Sequence, residues 1–319
     1  MKNIIALAAV PFLLISLIPG GAADAATPAR RIAWAPCPDD ATTECGTLKV
    51  PVDWDTPSGA TVDLAVARRK AAGPASRVGS LVVNPGGPGG SGVDFVVRGS
   101  GYFSAELRGR FDLVGFDPRG TGRSHPVVCS AALMRERPHP FVKSQADMDA
   151  WVSFNRRLRE DCRARTGPLY DRVSSLDVAR DVEALRAALG DDKLTYYGVS
   201  HGTLIGQAYA ERFPGKVRAL ALDSNFDHSV NTASYLTTAA AHTAGAFDRF
   251  VTWCEATASC ALHGQDVRAF WKGLLQRADR DGGVADDRCD LAALGRQQQL
   301  QAAGQQDVVL GDHDPHGTS

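Results

Sequence analysis

The sequence carries almost no net charge of either sign. Its 35 lysines and arginines nearly balance 36 aspartates and glutamates, and the formal net charge is −1 at pH 7. A protein that binds nucleic acid or an anionic membrane through electrostatics needs a clear excess of positive charge. We therefore expect no nucleic-acid partner and no stable association with a membrane.

The sequence also lacks the motifs of the common cofactor sites. No CxxC pair and no clustered Cys/His spacing typical of zinc occurs. The glycine-rich segment Asn84–Gly92 has neither the G-K-[ST] ending of a phosphate-binding loop nor the G-x-G-x-x-G order of a dinucleotide site. We expect no metal, nucleotide or flavin, and thus no cofactor.

Long hydrophobic runs are scarce, and the clearest one lies at the N-terminus. Ile4–Ile18 is nearly all apolar but shorter than the ~20 residues that a membrane-spanning helix needs. Lys2 precedes it, and Ala23 and Ala25 supply small residues at the −3 and −1 positions of a cleavage site. The pattern predicts a cleaved signal peptide over residues 1–26 and a secreted, extracellular protein; a membrane anchor is the alternative.

Export permits disulfide bonds, and the chain has seven cysteines. In chain order, six of them form three neighbouring couples: Cys37/Cys45, Cys129/Cys162 and Cys254/Cys260. Sequential pairing is the simplest hypothesis, although six cysteines allow about 15 pairings. Cys289 is left over.

Strand and helix patterns alternate after the predicted signal. Two adjacent β-like runs come first and predict an antiparallel edge; short apolar strands then alternate with helices, which predicts a mostly parallel sheet flanked by helices. The predicted strands are Thr47–Val52, Thr61–Arg68, Leu81–Val83, Phe111–Phe116, Leu194–Tyr197 and Val217–Leu222, and the predicted helices are Ser174–Gly190 and Thr203–Phe213. The fold class is therefore α/β.

Beyond Asp223 the pattern becomes helical only, with amphipathic segments at Ala246–Cys254 and Val267–Ala278. This predicts a core over residues 32–224 and a helical cap over residues 225–280. From about residue 281 the sequence is rich in glutamine without a sustained core pattern, which predicts a poorly ordered tail over residues 281–319.

A G-x-S-x-G motif occurs at Gly198–Gly202, with Ser200 as its central residue. An apolar strand precedes it and a predicted helix follows, which is the context that a nucleophile elbow requires. Glycines are needed on both sides because bulk would block the tight turn and the packing of the helix on the strand. We predict Ser200 as a catalytic nucleophile; an ordinary Gly/Ser turn is the alternative.

The glycine-rich loop Pro85–Gly90 follows another predicted strand. Its glycines leave backbone N–H groups open to a ligand, with no side chain in the way. A flexible turn is the alternative, but an oxyanion loop is preferred. We predict that the amides of Gly87 and His201 form the oxyanion hole.

Three segments resemble, in order and spacing, the secreted tripeptidyl-aminopeptidase and proline-iminopeptidase-like α/β-hydrolases. They are Asn84–Gly92 (NPGGPGGSG), Phe111–Ser124 (FDLVGFDPRGTGRS) and Tyr196–Thr203 (YYGVSHGT). The resemblance runs from about residue 32 to 280. It implies the α/β-hydrolase fold, hydrolysis of a peptide substrate near its free N-terminus, and a helical cap that restricts substrate length.

The chain departs from this family's pattern at two positions. Pro85 stands where the family's H-G-G-P-G segment has histidine, and His201 stands where a tyrosine is expected. We interpret the His201 side chain as a packing or substrate-side group and not as a general base. Asp117 and Arg119 resemble an element that buttresses the family's site, and a salt-bridged turn is the favoured interpretation of the pair.

The base and acid that a serine nucleophile needs cannot be identified. In this fold the chain order is serine, then a carboxylate, then histidine. Asp223 follows a strand and could orient a histidine, but a turn or helix-cap role is favoured. The histidines after Ser200 that lack a recognisable motif are His228, His242, His263, His313 and His316.

This gap motivates the hypothesis that the chain is a truncated family member. In that hypothesis the C-terminal part of the fold is missing and the tail lies outside the ancestral reading frame. The sequence thus favours a secreted serine aminopeptidase that works through an acyl-enzyme. An esterase or lipase-like hydrolase and a catalytically inactive remnant are the alternatives, and the oligomeric state is left open.

Overall fold

The computed structural model describes residues 31–139 and 142–280. The predicted signal peptide, Cys289 and the predicted tail lie outside the described residues. Within the described part of the chain, no helix combines the length and apolar character needed to cross a membrane.

A mixed β-sheet runs through the described residues. Its strands are β1 (Ala35–Cys37), β2 (Asp40–Pro51), β3 (Thr61–Arg69), β4 (Gly79–Asn84), β5 (Phe111–Phe116), β6 (Leu194–Val199) and β7 (Val217–Asp223). They lie in the order β1-β2-β3-β5-β4-β6-β7. β1, β2 and β3 pair antiparallel, β3 pairs antiparallel with β5, and the strands from β5 to β7 are parallel. The predicted antiparallel edge on a parallel sheet is confirmed.

Helices pack on both faces of this sheet and continue beyond it. They are α1 (Gly92–Arg98), α2 (Ala105–Arg110), α3 (Ala131–Arg135), α4 (Gln145–Thr166), α5 (Ser175–Ala188), α6 (His201–Arg212), α7 (Thr232–Ala256) and α8 (Val267–Arg280). α5 and α6 bury Val182, Leu185 and Ile205 against one face of the strands. α1 buries Val93 and Val96 against the other face, so the architecture has three layers.

The helix predicted over Ser174–Gly190 is confirmed as α5, with both of its terminal signals. The Ser174 hydroxyl accepts the Asp177 amide while the Asp177 carboxylate accepts from Ser174, which is a capping box. Gly190 follows the helix with φ +79°, a conformation that costs glycine little. The predicted strands are also confirmed; β2 begins seven residues earlier than expected, at Asp40.

The 22-residue helix α4 has no counterpart among the predicted elements. It buries only Phe154 and Cys162, so it lacks the repeated apolar stripe by which an amphipathic helix is recognised.

Cys162 is disulfide-bonded to Cys129, and the couples Cys37–Cys45 and Cys254–Cys260 are bonded as well. Sequential pairing is confirmed for these six cysteines.

After β7 the described chain is helical. α7 starts fourteen residues before the predicted Ala246, and α8 covers the second predicted helix. The two helices share a small core in which Val251, Cys254 and Val267 are buried. The division into a core ending at residue 224 and a cap over residues 225–280 stays a prediction.

Candidate active site

Ser200 lies on a strained turn between β6 and α6. Its φ of +53° and ψ of −121° place a non-glycine residue in a sparsely populated backbone region. The backbone is held there because the Ser200 amide donates to the Asp223 carbonyl (2.9 Å) and the Ser200 carbonyl accepts from Thr203, through its amide (2.9 Å) and its hydroxyl (2.6 Å). A serine held this way at the carboxyl end of a parallel strand has the geometry of a nucleophile elbow.

The two glycines of the motif are required by close packing. A Cβ on Gly198 would lie 2.5 Å from the Gly202 carbonyl oxygen, and a Cβ on Gly202 would lie 2.7 Å from the Asn84 carbonyl oxygen. The buried Tyr196 hydroxyl also donates to the Gly202 carbonyl (2.8 Å). β6, α6 and the residue before the glycine-rich loop therefore pack so closely that a side chain at Gly198 or Gly202 would not fit.

The glycine-rich loop lies directly against the elbow. A Cβ on Gly86 would lie 2.2 Å from the Val199 carbonyl oxygen and 3.1 Å from the Ser200 Cβ. Gly86 and Gly87 have φ of +86° and +121°, which favour glycine. The Gly86 amide is occupied because it donates to Asn84 Oδ1 (2.8 Å).

The Gly87 amide has no hydrogen-bond acceptor within the described residues. His201 is the first residue of α6, and the first amides of a helix have no partner inside it. The positive end of the helix dipole adds to the attraction for a negative oxygen. The geometry is consistent with the prediction that Gly87 and His201 form an oxyanion hole, which stays a prediction.

Asn84 is a site residue that sequence reasoning missed. It is the last residue of β4, its side chain is buried, and it fixes the loop through the Gly86 amide. Its Nδ2 atom is buried without a hydrogen-bond partner. The signal available in the sequence was a polar amide at the end of an otherwise apolar strand, just before the first proline of the loop.

Asp117 ties the loop after β5 to the start of α1. Its fully buried carboxylate accepts from the Ser91 hydroxyl (2.5 Å), the Val93 amide (3.2 Å) and the Arg123 amide (2.9 Å). Ser91 directly follows the glycine-rich loop and caps α1, which starts at Gly92. Asp117 therefore fixes the far end of that loop, and its carboxylate is occupied by these donors.

Arg119 forms a buried ion pair with Asp181 on α5. Both side chains are fully buried, and the guanidinium donates to both carboxylate oxygens (2.6 and 2.7 Å). It also donates to the carbonyls of Pro51, Val52 and Arg172. The favoured interpretation of Asp117 and Arg119 as structural residues agrees with these contacts, although the partner of Arg119 lies in another element and not in its own turn.

The His201 side chain is partly buried, and burial lowers the pKa of its imidazole. It lines a crevice of about 280 Å³ together with Asn84, Gly86 and residues of the loop after β5. This position beside the glycine-rich loop supports the interpretation of His201 as a packing or substrate-side residue.

The described residues bring no imidazole into a hydrogen bond with the Ser200 hydroxyl. His228 contacts Gln207 and Glu211 through its two ring nitrogens (2.5 and 2.8 Å). His263 contacts the Cys254 carbonyl through Nδ1 (3.0 Å). His313 and His316 lie outside the described residues.

Asp223 has different contacts from those of a helix cap. Its Oδ2 accepts from the Tyr197 hydroxyl (2.8 Å) and, more weakly, from the Tyr102 hydroxyl (3.5 Å). The two hydroxyls are also 2.7 Å apart.

Within residues 31–139 and 142–280 no group of three or more His, Cys, Asp and Glu side chains is arranged to hold a metal ion.

The fold and the elbow define the class of protein: an α/β protein whose mostly parallel sheet presents a serine at the carboxyl end of β6, beside open backbone amides. Comparison with protein families agrees with this class. The model of the alpha/beta hydrolase fold matches residues 79–308. The chain therefore belongs to the α/β-hydrolase family.

Curated relatives are considerably longer than this chain. Serine protease Hip1 of Mycobacterium tuberculosis is 36% identical over 286 residues, which cover 83% of this chain and 54% of the relative. Tripeptidyl aminopeptidase of Streptomyces lividans is 39% identical over 216 residues, covering 64% of this chain and 40% of the relative. Carboxylesterase B of M. tuberculosis is 36% identical, covering 69% and 43%. The chain thus spans about half the length of the relatives it matches.

Proposed function

We propose that the chain carries the nucleophile and the oxyanion hole of a secreted serine peptidase that releases short peptides from free N-termini. The observation that supports this most directly is the backbone of Ser200, which is held at positive φ and packs against Gly86, the residue before the open Gly87 amide. Similarity to a serine protease and to a tripeptidyl aminopeptidase supports peptide-bond chemistry. Three disulfides support an oxidising compartment outside the cytoplasm.

In the proposed reaction the Ser200 hydroxyl oxygen attacks the carbonyl carbon of the scissile bond. The carbonyl oxygen becomes negative, and the amides of Gly87 and His201 donate hydrogen bonds to it. The serine proton passes to a general base and then to the departing amine, which leaves an acyl-enzyme that water hydrolyses. The Ser200 side chain thus forms the bond, and the two amides stabilise the charge that develops.

Reaction with a fluorophosphonate probe tests this proposal on the full-length protein. Labelling of the parent is expected, and its loss is expected in Ser200→Ala. Ser224→Ala is a matched control because Ser224 also has a positive φ (+56°) but lies after β7, off the elbow. Among the histidines outside the described residues, His313→Ala and His316→Ala test whether either one supplies the base. Absence of labelling in folded protein would support a catalytically inactive remnant.

An esterase is the second candidate, favoured by the similarity to carboxylesterase B. An elbow with an oxyanion loop serves any acyl transfer, so the site geometry alone fits both activities. Chromogenic aminoacyl amides and short-chain esters separate them. Ser200-dependent hydrolysis of the amides supports the peptidase, whereas hydrolysis of the esters alone supports the esterase.

A further inference from the structure

Asp223 carries an exposed carboxylate on a residue whose backbone is hydrogen-bonded to that of Ser200. It forms no ion pair with a lysine or arginine of the described residues; its contacts are the hydroxyls of Tyr197, Tyr102 and, at 3.4 Å on Oδ1, Ser224. Its backbone carbonyl accepts the Ser200 amide at 2.9 Å. The carboxylate and the nucleophile therefore belong to residues that are hydrogen-bonded across two neighbouring strand ends.

The hydroxyls of the two tyrosines hold the Asp223 carboxylate in place by hydrogen bonds but do not neutralise its charge. Burial, together with the hydrogen bonds to Tyr102 and Asp223, raises the pKa of the Tyr197 hydroxyl above its ordinary value. That hydroxyl stays protonated and donates to the carboxylate. Since a hydroxyl donor removes no charge, Asp223 keeps an oxygen, Oδ1, with capacity for a further and stronger donor.

Further aromatic rings pack against the two tyrosines that contact Asp223. Tyr102 lies 5.5 Å from Phe95, 5.4 Å from Phe103 and 6.0 Å from Tyr197, measured between ring centroids. Aromatic faces attract cations, and the attraction is stronger when a carboxylate lies beside them. The combination of an unpaired carboxylate with a cluster of aromatic rings is suited to a cation.

An apolar groove of about 340 Å³ opens from the two tyrosines along the sheet face. Its lining consists mainly of Tyr102, Tyr197, Leu81, Leu107, Phe111 and Ala221. Arg218 lies at the far end of the groove, with its guanidinium over the Phe111 ring at 5.6 Å. Arg218 and Asp223 are five residues apart on β7, or about 16 Å along an extended strand, so the Arg218 charge does not offset the carboxylate.

A ligand that fits both the Asp223 carboxylate and the apolar groove has a cationic end and an apolar body. The N-terminal residue of a peptide has this chemistry, because its α-ammonium and its side chain diverge from one carbon atom. We propose that Asp223, with Tyr197 and Tyr102, binds the α-ammonium group of the substrate and that the groove takes the apolar side chain of the same residue. The assignment rests on the proposed function and adds the group that selects a free N-terminus.

Binding to a protein that cannot react tests the assignment. In the Ser200→Ala protein, chemical-shift titrations compare leucinamide with 4-methylpentanamide, which has the same shape without the ammonium. We expect leucinamide to bind about fivefold more tightly, a ratio typical of one partly exposed charge pair. Glycinamide keeps the ammonium and lacks the side chain, so it should bind more weakly than leucinamide.

Asp223→Asn, added to Ser200→Ala, is expected to make leucinamide and 4-methylpentanamide bind equally. Asp223→Glu keeps the charge and should retain most of the difference, which separates loss of charge from loss of structure. Asp248→Asn is the matched control, because Asp248 is also exposed but pairs with Arg268 on the α7–α8 helices. The assignment would be overturned if the Ser200→Ala protein bound leucinamide and 4-methylpentanamide equally. A fivefold preference for leucinamide that survives in Asp223→Asn would also overturn it.

The result is independent of whether the chain is an active enzyme. Preference for leucinamide without fluorophosphonate labelling would support the ammonium site and contradict the proposed peptidase. Labelling without that preference would support a serine hydrolase and contradict the ammonium site.

Discussion

The contact between Gly202 and Asn84 leads to a quantitative prediction about the elbow. In Gly202→Ala the new methyl carbon would lie 2.7 Å from the Asn84 carbonyl oxygen and 2.9 Å from Asn84 Oδ1. Ordinary contacts are at least about half an ångström longer, so either the helix or the glycine-rich loop has to move. Asn84 holds the Gly86 amide, and a shift of Asn84 therefore displaces the Gly87 amide next to it.

Two opposing effects set the size of the change in stability. Alanine in place of glycine inside a helix ordinarily stabilises it by about 0.5–1 kcal/mol. Overpacking in a tight interior costs about 1–3 kcal/mol. We expect a net loss of about 1–2 kcal/mol in the free energy of unfolding, measured by urea denaturation.

The effect on reactivity should be larger than the effect on stability. Loss of one oxyanion donor costs about 10²–10³-fold in rate, so the fluorophosphonate labelling rate of Gly202→Ala should fall by about 100-fold relative to the parent. Gly215→Ala is the control, because a Cβ there meets no atom within 4 Å. A labelling rate within twofold of the parent, with unchanged stability, would refute the assigned contact between loop and elbow.

Three further predictions concern stability. Asp181→Ala leaves the Arg119 guanidinium buried without its carboxylate and should cost about 3–5 kcal/mol in urea unfolding; a cost below about 1 kcal/mol would contradict the burial of the pair. His201 has a lowered pKa in the folded state, so the unfolded chain binds the proton more readily and stability is lost as the pH falls through about 6.5. Between pH 8 and pH 5 the thermal midpoint of the parent should therefore fall by more than that of His201→Phe. If the difference between the two midpoints stays constant over this pH range, the prediction is wrong. Replacing Cys129 and Cys162 by alanine opens a loop of 33 residues and should cost about 3–4 kcal/mol, more than opening the shorter Cys254–Cys260 loop; equal losses in urea unfolding would contradict the loop-length argument.

Local sequence signals were sufficient for the order of elements around the site. The cap at Ser174, the stop at Gly190 and the apolar run of β6 are all encoded within a few residues of where they act. Helix α4 was missed because its burial depends on two residues and a disulfide, and not on a periodic apolar face.

The sequence by itself determined which residues can occupy the elbow. The spacing of Gly198 and Gly202 around Ser200, between an apolar run and a helical pattern, predicts a serine on a tight turn. Sequential pairing of the cysteines was the simplest of about 15 possible pairings, and only the folded chain decided it. The turn at Ser200 depends on backbone geometry within a few residues, and a linear pattern contains that information.

Only the tertiary structure decided which groups meet at the site. Tyr102 is 121 residues from Asp223, and Arg119 is 62 residues from Asp181, yet each pair is in contact. Such partners are brought together by the order of strands in the sheet, and the sequence pattern of one strand does not state which neighbour it will have. The unpaired charge of Asp223 likewise follows from the absence of a cation around it among the described residues, which is a property of the folded surface.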